Sequence, residues 1–268
     1  MQATLKKYLA VARIGFEDGL EYRTEFFISL LGWSIRLMIS LFIFAAMFKG
    51  RATIQSMQFS DIVLYFLVIQ VVTTFTFTRV SFMICADIQN GNFSNYLVKP
   101  VSYLWYCIVS ELAKNFVRSW LGIALFGIIL FFYNPSFIIS FPYSHLPIIA
   151  ASILCAFFVN TFLMTTIALL SFWIVNANRL LYMFFAILSI FSGMQIPLQL
   201  FPEKFQHILN MTPFPYIFYY PTKMITQPGS AMDAAKTIGI QIGIIIIEAL
   251  IVKILMHMGI KKYEAVGK

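Results

Sequence analysis

The chain has 268 residues, of which 60% are hydrophobic and 11% charged. Soluble domains carry about 25% charged residues, so this composition excludes a water-soluble protein and predicts an all-α polytopic membrane protein. The formal net charge of +8 does not indicate nucleic-acid binding, because no basic cluster lies on a soluble module.

Residues 1–23 predict an amphipathic helix that lies along a membrane surface. Most of its charged residues lie on one side of the helix. Its apolar residues recur at three- and four-residue steps on another side: Leu5, Tyr8, Leu9, Ala12, Phe16 and Leu20. Helices of this kind lie in the headgroup region. A plain membrane anchor and a surface that also touches a partner protein both remain open.

The rest of the chain predicts six membrane spans. A helix needs about 20 apolar residues to cross a hydrocarbon layer of roughly 30 Å. Apolar runs that meet or approach this length cover 26–48, 59–83, 115–133, 146–175 and 238–258. Asn134 and Pro135 end the third run, and a shorter fifth run extends from Leu180 to Gly193. An even number of spans places both termini on one side.

The distribution of Lys and Arg predicts that this side is the cytoplasm, since positive charge is retained there. With the N-terminus inside, most of the basic residues are cytoplasmic: Lys6, Lys7, Arg13, Arg23, Arg79, Lys99, Lys114, Arg118, Arg179, Lys253, Lys261, Lys262 and Lys268. The whole chain, 1–268, reads as a single transmembrane domain without an internal repeat.

Residues 195–225 follow the short fifth run and are rich in proline and aromatic residues. The prolines at 197, 202, 213, 215 and 221 prevent one continuous helix. We expect half-helices that dip into the outer leaflet and pack on the bundle, because broken backbone survives at membrane depth only when protein covers it. An aromatic belt at the membrane surface remains the alternative.

Residues 84–102, between spans two and three, form a polar segment on the predicted cytoplasmic side. The second helix is expected to continue through Asp87 until Gly91 breaks it. Asn92 or Ser94 then caps a short helix that Pro100 ends. A short surface helix suits a groove on another protein, and an ordinary loop is the alternative.

The sequence holds little that predicts an enzyme. Metalloprotease, nucleophile-elbow and nucleotide-binding loop motifs are absent, and the predicted topology separates His257 from His145 and His207. Two charged residues lie inside predicted spans, Arg36 in the first and Glu248 in the sixth. They predict an ion pair, a substrate or water pathway, or a subunit contact.

Two stretches resemble a known family. "DIQNGNFSNYLVKPVSYL" is similar to the connection between spans two and three of membrane permeases from exporter-type (type-two) ABC transporters, in the six-span branch that exports drugs and bacteriocins. "FSGMQIPLQLFPEKFQHILNMTPFPYIFYYP" resembles the end of span five and the outer half-helices of the same permeases. The resemblance extends over nearly the whole chain.

This resemblance implies a coupling helix at about 92–98, seated on a separate ATP-binding cassette subunit that supplies ATP hydrolysis; the chain itself would need no cofactor. The candidate contact residues are Asp87, Gln89, Asn90, Asn92, Asn95, Tyr96 and Lys99. It also implies a second permease chain, identical or paralogous, with a path between the two chains lined by spans one, two and five. A bacterial cell membrane and an amphipathic exported cargo follow from the same resemblance.

Two other classes of function remain open at this stage. A stand-alone secondary transporter needs intramembrane carboxylates that face broken helices, and Glu248 is the one candidate. A membrane-embedded hydrolase is opposed by the scattered histidines.

Overall fold

The computed structural model describes residues 2–21, 23–55, 57–97, 101–133 and 143–263. Within these ranges the chain is helical, with one isolated β-bridge between Ile54 and Met57. In chain order the α-helices are α1 (Gln2–Glu21), α2 (Arg23–Phe48), α3 (Phe59–Thr76), α4 (Val80–Gln89), α5 (Ser94–Leu97), α6 (Tyr103–Tyr133), α7 (Leu146–Leu169), α8 (Ala177–Phe191), α9 (Glu203–Asn210), α10 (Tyr219–Thr226) and α11 (Ala231–Lys262).

Five helical stretches in the described part of the chain are long and apolar enough to cross a membrane. They are Leu31–Phe48, Phe59–Thr76, Tyr103–Tyr133, Tyr143–Phe172 and Ala231–Lys262. The prediction of an all-α polytopic membrane protein is therefore confirmed. Helix α8 has 15 residues, which is about 22 Å, so it has the short length expected of the fifth span. Asn134 and Pro135, the expected end of the third run, lie outside the described residues.

The prediction of one continuous second span over 59–83 is wrong. Helix α3 ends at Thr76, Phe77 has an extended backbone with φ −65° and ψ 136°, and α4 begins at Val80. Polar side chains from α6 and α7 bind the backbone groups that this break exposes. No proline or glycine lies between residues 72 and 82, so the break depends on tertiary contacts.

The segment after α8 consists of short helices, in agreement with the expected broken geometry. It contains α9, α10 and two 3-10 turns, Leu198–Leu200 and Phe214–Tyr216. Gly193 starts the segment with φ +87°. The Tyr65 hydroxyl of α3 donates to the Gly193 carbonyl at 2.7 Å, which fixes the turn against the bundle. Its position in the outer leaflet stays a prediction.

Two apolar clusters form the core. The first joins α2 and α3 to the end of α8 and the segment after it. The second joins α4, the start of α6, the far end of α7 and the last turns of α11. The break between α3 and α4 lies where one cluster gives way to the other. The two halves of the second span therefore have different neighbours.

Helix α1 packs along the first half of α6 through small residues. A Cβ at Gly15 would lie 2.5 Å from the Ser110 carbonyl oxygen, so only glycine allows this approach. Asp18 and Lys114 form an ion pair of 3.0 Å across the same contact. Of the predicted apolar stripe, Leu9, Phe16 and Leu20 are exposed, whereas Tyr8 and Ala12 are half-buried towards the bundle. The exposed part of the stripe is therefore available to a membrane surface.

Candidate functional site

The polar segment between α4 and α6 begins with a tight reversal at Gly91. Helix α4 ends at Gln89, and Gly91 has φ +78°, a left-handed conformation that favours glycine. The Phe93 amide donates to the Asp87 carbonyl at 3.0 Å, and the Ser94 hydroxyl donates to the Gly91 carbonyl at 2.8 Å. The chain then enters α5, so the predicted short helix is present over four residues.

Phe93 anchors this segment to the rest of the protein. Its side chain is 1% exposed, and its ring meets the edges of Tyr103, Phe172 and Tyr263 at centroid distances of 5.1, 5.6 and 5.2 Å. These partners lie at the start of α6, in the 3-10 turn after α7, and just after α11. Edge-to-face pairs contribute about 0.5–1.5 kcal/mol each beyond burial. A single side chain thus connects the segment to three other helices.

Gly259 makes room for this aromatic cluster, which consists of Phe93, Tyr103, Phe172 and Tyr263. Helix α11 passes the Phe172 ring so closely that a Cβ at residue 259 would lie 2.1 Å from Cδ2 of that ring. Phe172 also lies 5.9 Å from Tyr263, centroid to centroid. The last turns of α11 are therefore packed directly against the anchor of the polar segment.

Three of the seven candidate contact residues form an exposed row on this segment: Asn90, Asn92 and Asn95. Each amide carries a donor and an acceptor, so the row presents hydrogen-bonding groups at the surface. Phe93, which lies between Asn92 and Asn95 in the chain, is buried. The row is therefore attached to the bundle by a packed anchor.

Two other candidates are engaged within the chain. Asp87 accepts a hydrogen bond of 2.7 Å from the Tyr103 hydroxyl. Gln89 donates to the Val175 carbonyl at 2.6 Å and accepts from the Asn178 side chain at 3.0 Å. These contacts hold α4 against α6 and against the start of α8. Asp87 and Gln89 therefore hold in place the helix that leads into the exposed row.

Tyr96 is also half-buried, and its ring lies tilted against those of Tyr103 and Tyr106 at centroid distances of 4.7 and 5.6 Å. Burial, with a smaller effect from Asp87, raises the pKa of the Tyr96 hydroxyl. The hydroxyl is therefore neutral near pH 7 and able to donate a hydrogen bond. Lys99, the last candidate, lies outside the described residues, as do Val98 and Pro100 at the expected end of the helix.

Arg36 and Glu248 have different partners in the structure. The Arg36 guanidinium lies 3.7 Å from the Met194 sulfur, where α2, α3 and the end of α8 meet. Glu248 is buried and accepts a hydrogen bond of 3.0 Å from the Thr166 hydroxyl of α7. No ion pair joins the two side chains, both of which are described. The predicted pair is therefore absent, and the substrate or water pathway and the subunit contact stay predictions.

The described residues contain no group of three or more His, Cys, Asp or Glu side chains that is able to hold a metal ion. The described part of the segment presents aromatic packing inside and amide side chains at its surface.

Several residues of the site were not predicted from the sequence. Phe172, Tyr263 and Gly259 lie in or beside apolar runs, where nothing in the sequence separates them from lipid-facing neighbours. Phe93 carried a usable signal, because it is a large apolar residue within a polar stretch.

The fold defines a polytopic helical membrane protein with a polar segment between α4 and α6 that is anchored to the bundle through Phe93. The comparison with protein families identifies it more closely: residues 34–267 match the model described as ABC-2 family transporter protein. The chain therefore belongs to the ABC-2 family of transporter membrane proteins, the membrane components of ABC exporters. A search of curated proteins finds no match.

Proposed function

We propose that two copies of this permease, or this chain and a paralogue, form an export path in a bacterial cell membrane, driven by a separate ATP-binding subunit that docks on Asn90, Asn92 and Asn95. The chain itself binds no nucleotide and performs no catalysis. Both termini face the cytoplasm. So does the exposed row of Asn90, Asn92 and Asn95, here called the docking row. The observation that carries the proposal is the exposed amide row above the buried Phe93 anchor.

The mechanism follows from what the anchor touches. When the ATP-binding subunits close on nucleotide, they displace the docking row. Phe93 then transmits the displacement to α6, to the end of α7 and to the end of α11, because its ring packs on Tyr103, Phe172 and Tyr263. Packed interiors pass on displacement instead of absorbing it. The row is small, but it moves several helices together.

The proposed path lies between the two chains, beside α2, α3 and α8. Arg36 supports this position because it lies where these three helices meet and has a thioether as its near neighbour. A charged group at membrane depth normally faces protein or water. An amphipathic cargo fits a wall that combines the half-buried Arg36 with exposed apolar side chains of α2 such as Ile35 and Ile39.

The neighbourhood of Glu248 does not favour the secondary-transporter alternative. Glu248 bonds to Thr166 on the intact helix α7, whereas coupling-ion sites use carboxylates beside discontinuous helices. The hydrolase alternative has no grouped catalytic residues in the described chain to support it.

Co-purification tests the docking row. A tagged chain is expected to retain an ATP-hydrolysing subunit, and the Asn92→Ala/Asn95→Ala variant should bind it about 30-fold more weakly, since two lost hydrogen bonds cost about 2 kcal/mol. Ser60→Ala/Ser144→Ala, at the opposite end of the bundle, is the matched control. Equal retention by both variants contradicts the docking site.

Labelling tests the orientation independently. Asn92→Cys should react with a membrane-impermeant maleimide in inverted membrane vesicles and not in right-side-out vesicles. The native Cys85 and Cys107 are buried, so they contribute little background. Labelling only from the outside would overturn the proposed topology.

A further inference from the structure

The break between α3 and α4 interrupts the helical hydrogen-bond ladder, and side chains take over the backbone groups of two of the interrupted bonds. In a continuous helix the amides of Arg79 and Val80 would donate to the carbonyls of Phe75 and Thr76. Instead, the Asn115 amide donates to the Phe75 carbonyl at 3.3 Å. The Asn160 side-chain amide donates to the Thr76 carbonyl at 2.9 Å. Each of the two carbonyls therefore accepts a hydrogen bond from a side chain, from α6 for Phe75 and from α7 for Thr76.

The two freed amides also have substitute partners. The Arg79 amide donates to the Glu111 carboxylate at 3.2 Å, and the Val80 amide donates to the Thr78 hydroxyl at 3.2 Å. Glu111 in turn lies 3.4 Å from the Arg118 guanidinium. A buried backbone group without a partner is costly, so these substitute partners lower the cost of a break at this depth. The free-energy difference between the broken and continuous forms is therefore smaller than the number of interrupted backbone bonds implies.

The local sequence supports both forms. Residues 72–82 contain no helix-breaking proline or glycine. The hydroxyls of Thr73 and Thr76 nevertheless bond back to carbonyls of the preceding turn, a pattern that bends helices and weakens them slightly. Side chains from α6 and α7 therefore decide between a bent segment and a straight one.

There is also space for movement beside the break. An apolar groove of about 320 Å³ is lined by Phe75 and Asn115 on one side and by Ala150 and Phe157 of α7 on the other. Close-packed interiors resist displacement, so a hinge requires free volume next to it. The groove provides that volume where the substitute hydrogen bonds are made.

We propose that residues 77–79 are a hinge and that Asn115 and Asn160 are positioning residues that hold it in the broken state. The inference rests on the proposed function, because α4 carries the docking row on its far end. Displacement of the row then swings α4 relative to α3, while α3 stays packed on α2 and α10. As the angle between α3 and α4 changes, the hydrogen bonds from the Asn115 and Asn160 side chains to the carbonyls of Phe75 and Thr76 break or form.

Hydrogen exchange of the isolated chain in nanodiscs tests the positioning residues. In Asn115→Leu/Asn160→Leu the carbonyls of Phe75 and Thr76 lose their substitute donors and return to the helical ladder. The amides of Arg79 and Val80 should then exchange about fivefold more slowly, the factor that corresponds to one net hydrogen bond. Unchanged or faster exchange at these two amides, in a variant that keeps native protection elsewhere in α3, overturns the assignment.

The hinge itself is tested in the complex with the co-purified ATP-binding subunit. A non-hydrolysable ATP analogue should change exchange at residues 77–80 as well as in the docking row. The Ala150→Phe variant fills the groove and should abolish the change at 77–80, whereas Ala124→Phe, on an exposed face of α6 outside the groove, should preserve it. Nucleotide-dependent exchange in the row without any change at 77–80 refutes the hinge.

Failure of the proposed function gives a different result. If the partner neither binds nor protects the docking row, the function is wrong, and the isolated-chain measurement still decides the roles of Asn115 and Asn160. Should the double leucine variant not fold, the Ala150→Phe and Ala124→Phe pair decides the question in the complex.

Discussion

Replacing Gly259 with alanine should destabilise the protein more than the same replacement on an open face of α11. The added Cβ would lie 2.1 Å from Cδ2 and 2.6 Å from Cε2 of Phe172, so the ring has to move. Phe93 and Tyr263 block that movement, because both rings pack against Phe172. Overpacking of this kind costs about 1–3 kcal/mol.

Gly243→Ala is the matched control. It lies on the same helix, and a Cβ there would meet nothing within 4 Å. Both variants gain helix propensity of at most about 1 kcal/mol, so the difference between them reports mainly the clash. Thermal unfolding in detergent at a fixed scan rate is the appropriate assay, since membrane proteins often unfold irreversibly.

A double-mutant cycle with Phe172→Ala isolates the contact. Removing the ring creates a cavity and costs about 3–5 kcal/mol alone. In that background, Gly259→Ala should cost nothing, which gives a coupling energy of about 1–3 kcal/mol. Equal stability of Gly259→Ala and Gly243→Ala, or strict additivity in the cycle, would show that the Phe172 contact is not as close as described.

Three further outcomes are expected. Phe93→Ala should lower stability by about 3–5 kcal/mol, as measured by unfolding, because a fully buried ring is removed; a loss below about 1 kcal/mol would contradict its role as anchor. Glu248→Gln and Arg36→Met should have additive effects on the melting temperature, since the residues have separate partners; a rescue of one by the other would restore the ion-pair hypothesis. Gly193→Ala should cost more than Gly50→Ala, because both have positive φ but only Gly193 has neighbours within 2.8 Å; equal melting temperatures would refute the packing argument.

Arg36 and Glu248 have separate partners, which the sequence alone does not predict. Each residue lies inside a span, and depth alone allowed a pair. Thr166 and Met194 compete as partners, and their proximity depends on how helices rotate and pack. Rotation about a helix axis is set by side-chain fit between helices. Hydropathy carries no information about it.

The place of the exposed amide row was predictable to a useful degree, while its contact with a partner stays a prediction. The change from apolar to polar residues after α4 and the glycine at 91 placed a surface turn correctly, because both are local signals. The sequence could not separate Asn90, Asn92 and Asn95 from Asp87 and Gln89. That distinction depends on Tyr103, Val175 and Asn178, which come from later parts of the chain.

The amino-acid sequence by itself determined that the chain lies in a membrane, that it is helical, and the approximate number and order of its spans. These follow from the length of each apolar run and its fit to a bilayer, which are local properties. Tertiary structure alone decided that the second span is broken and that Phe93 rests on three other helices. The physical reason is that a hydrogen bond or ring contact selects its partner by position in space. Asn115 and Asn160 are remote in sequence from Thr76, and only the folded bundle brings them to the same turn.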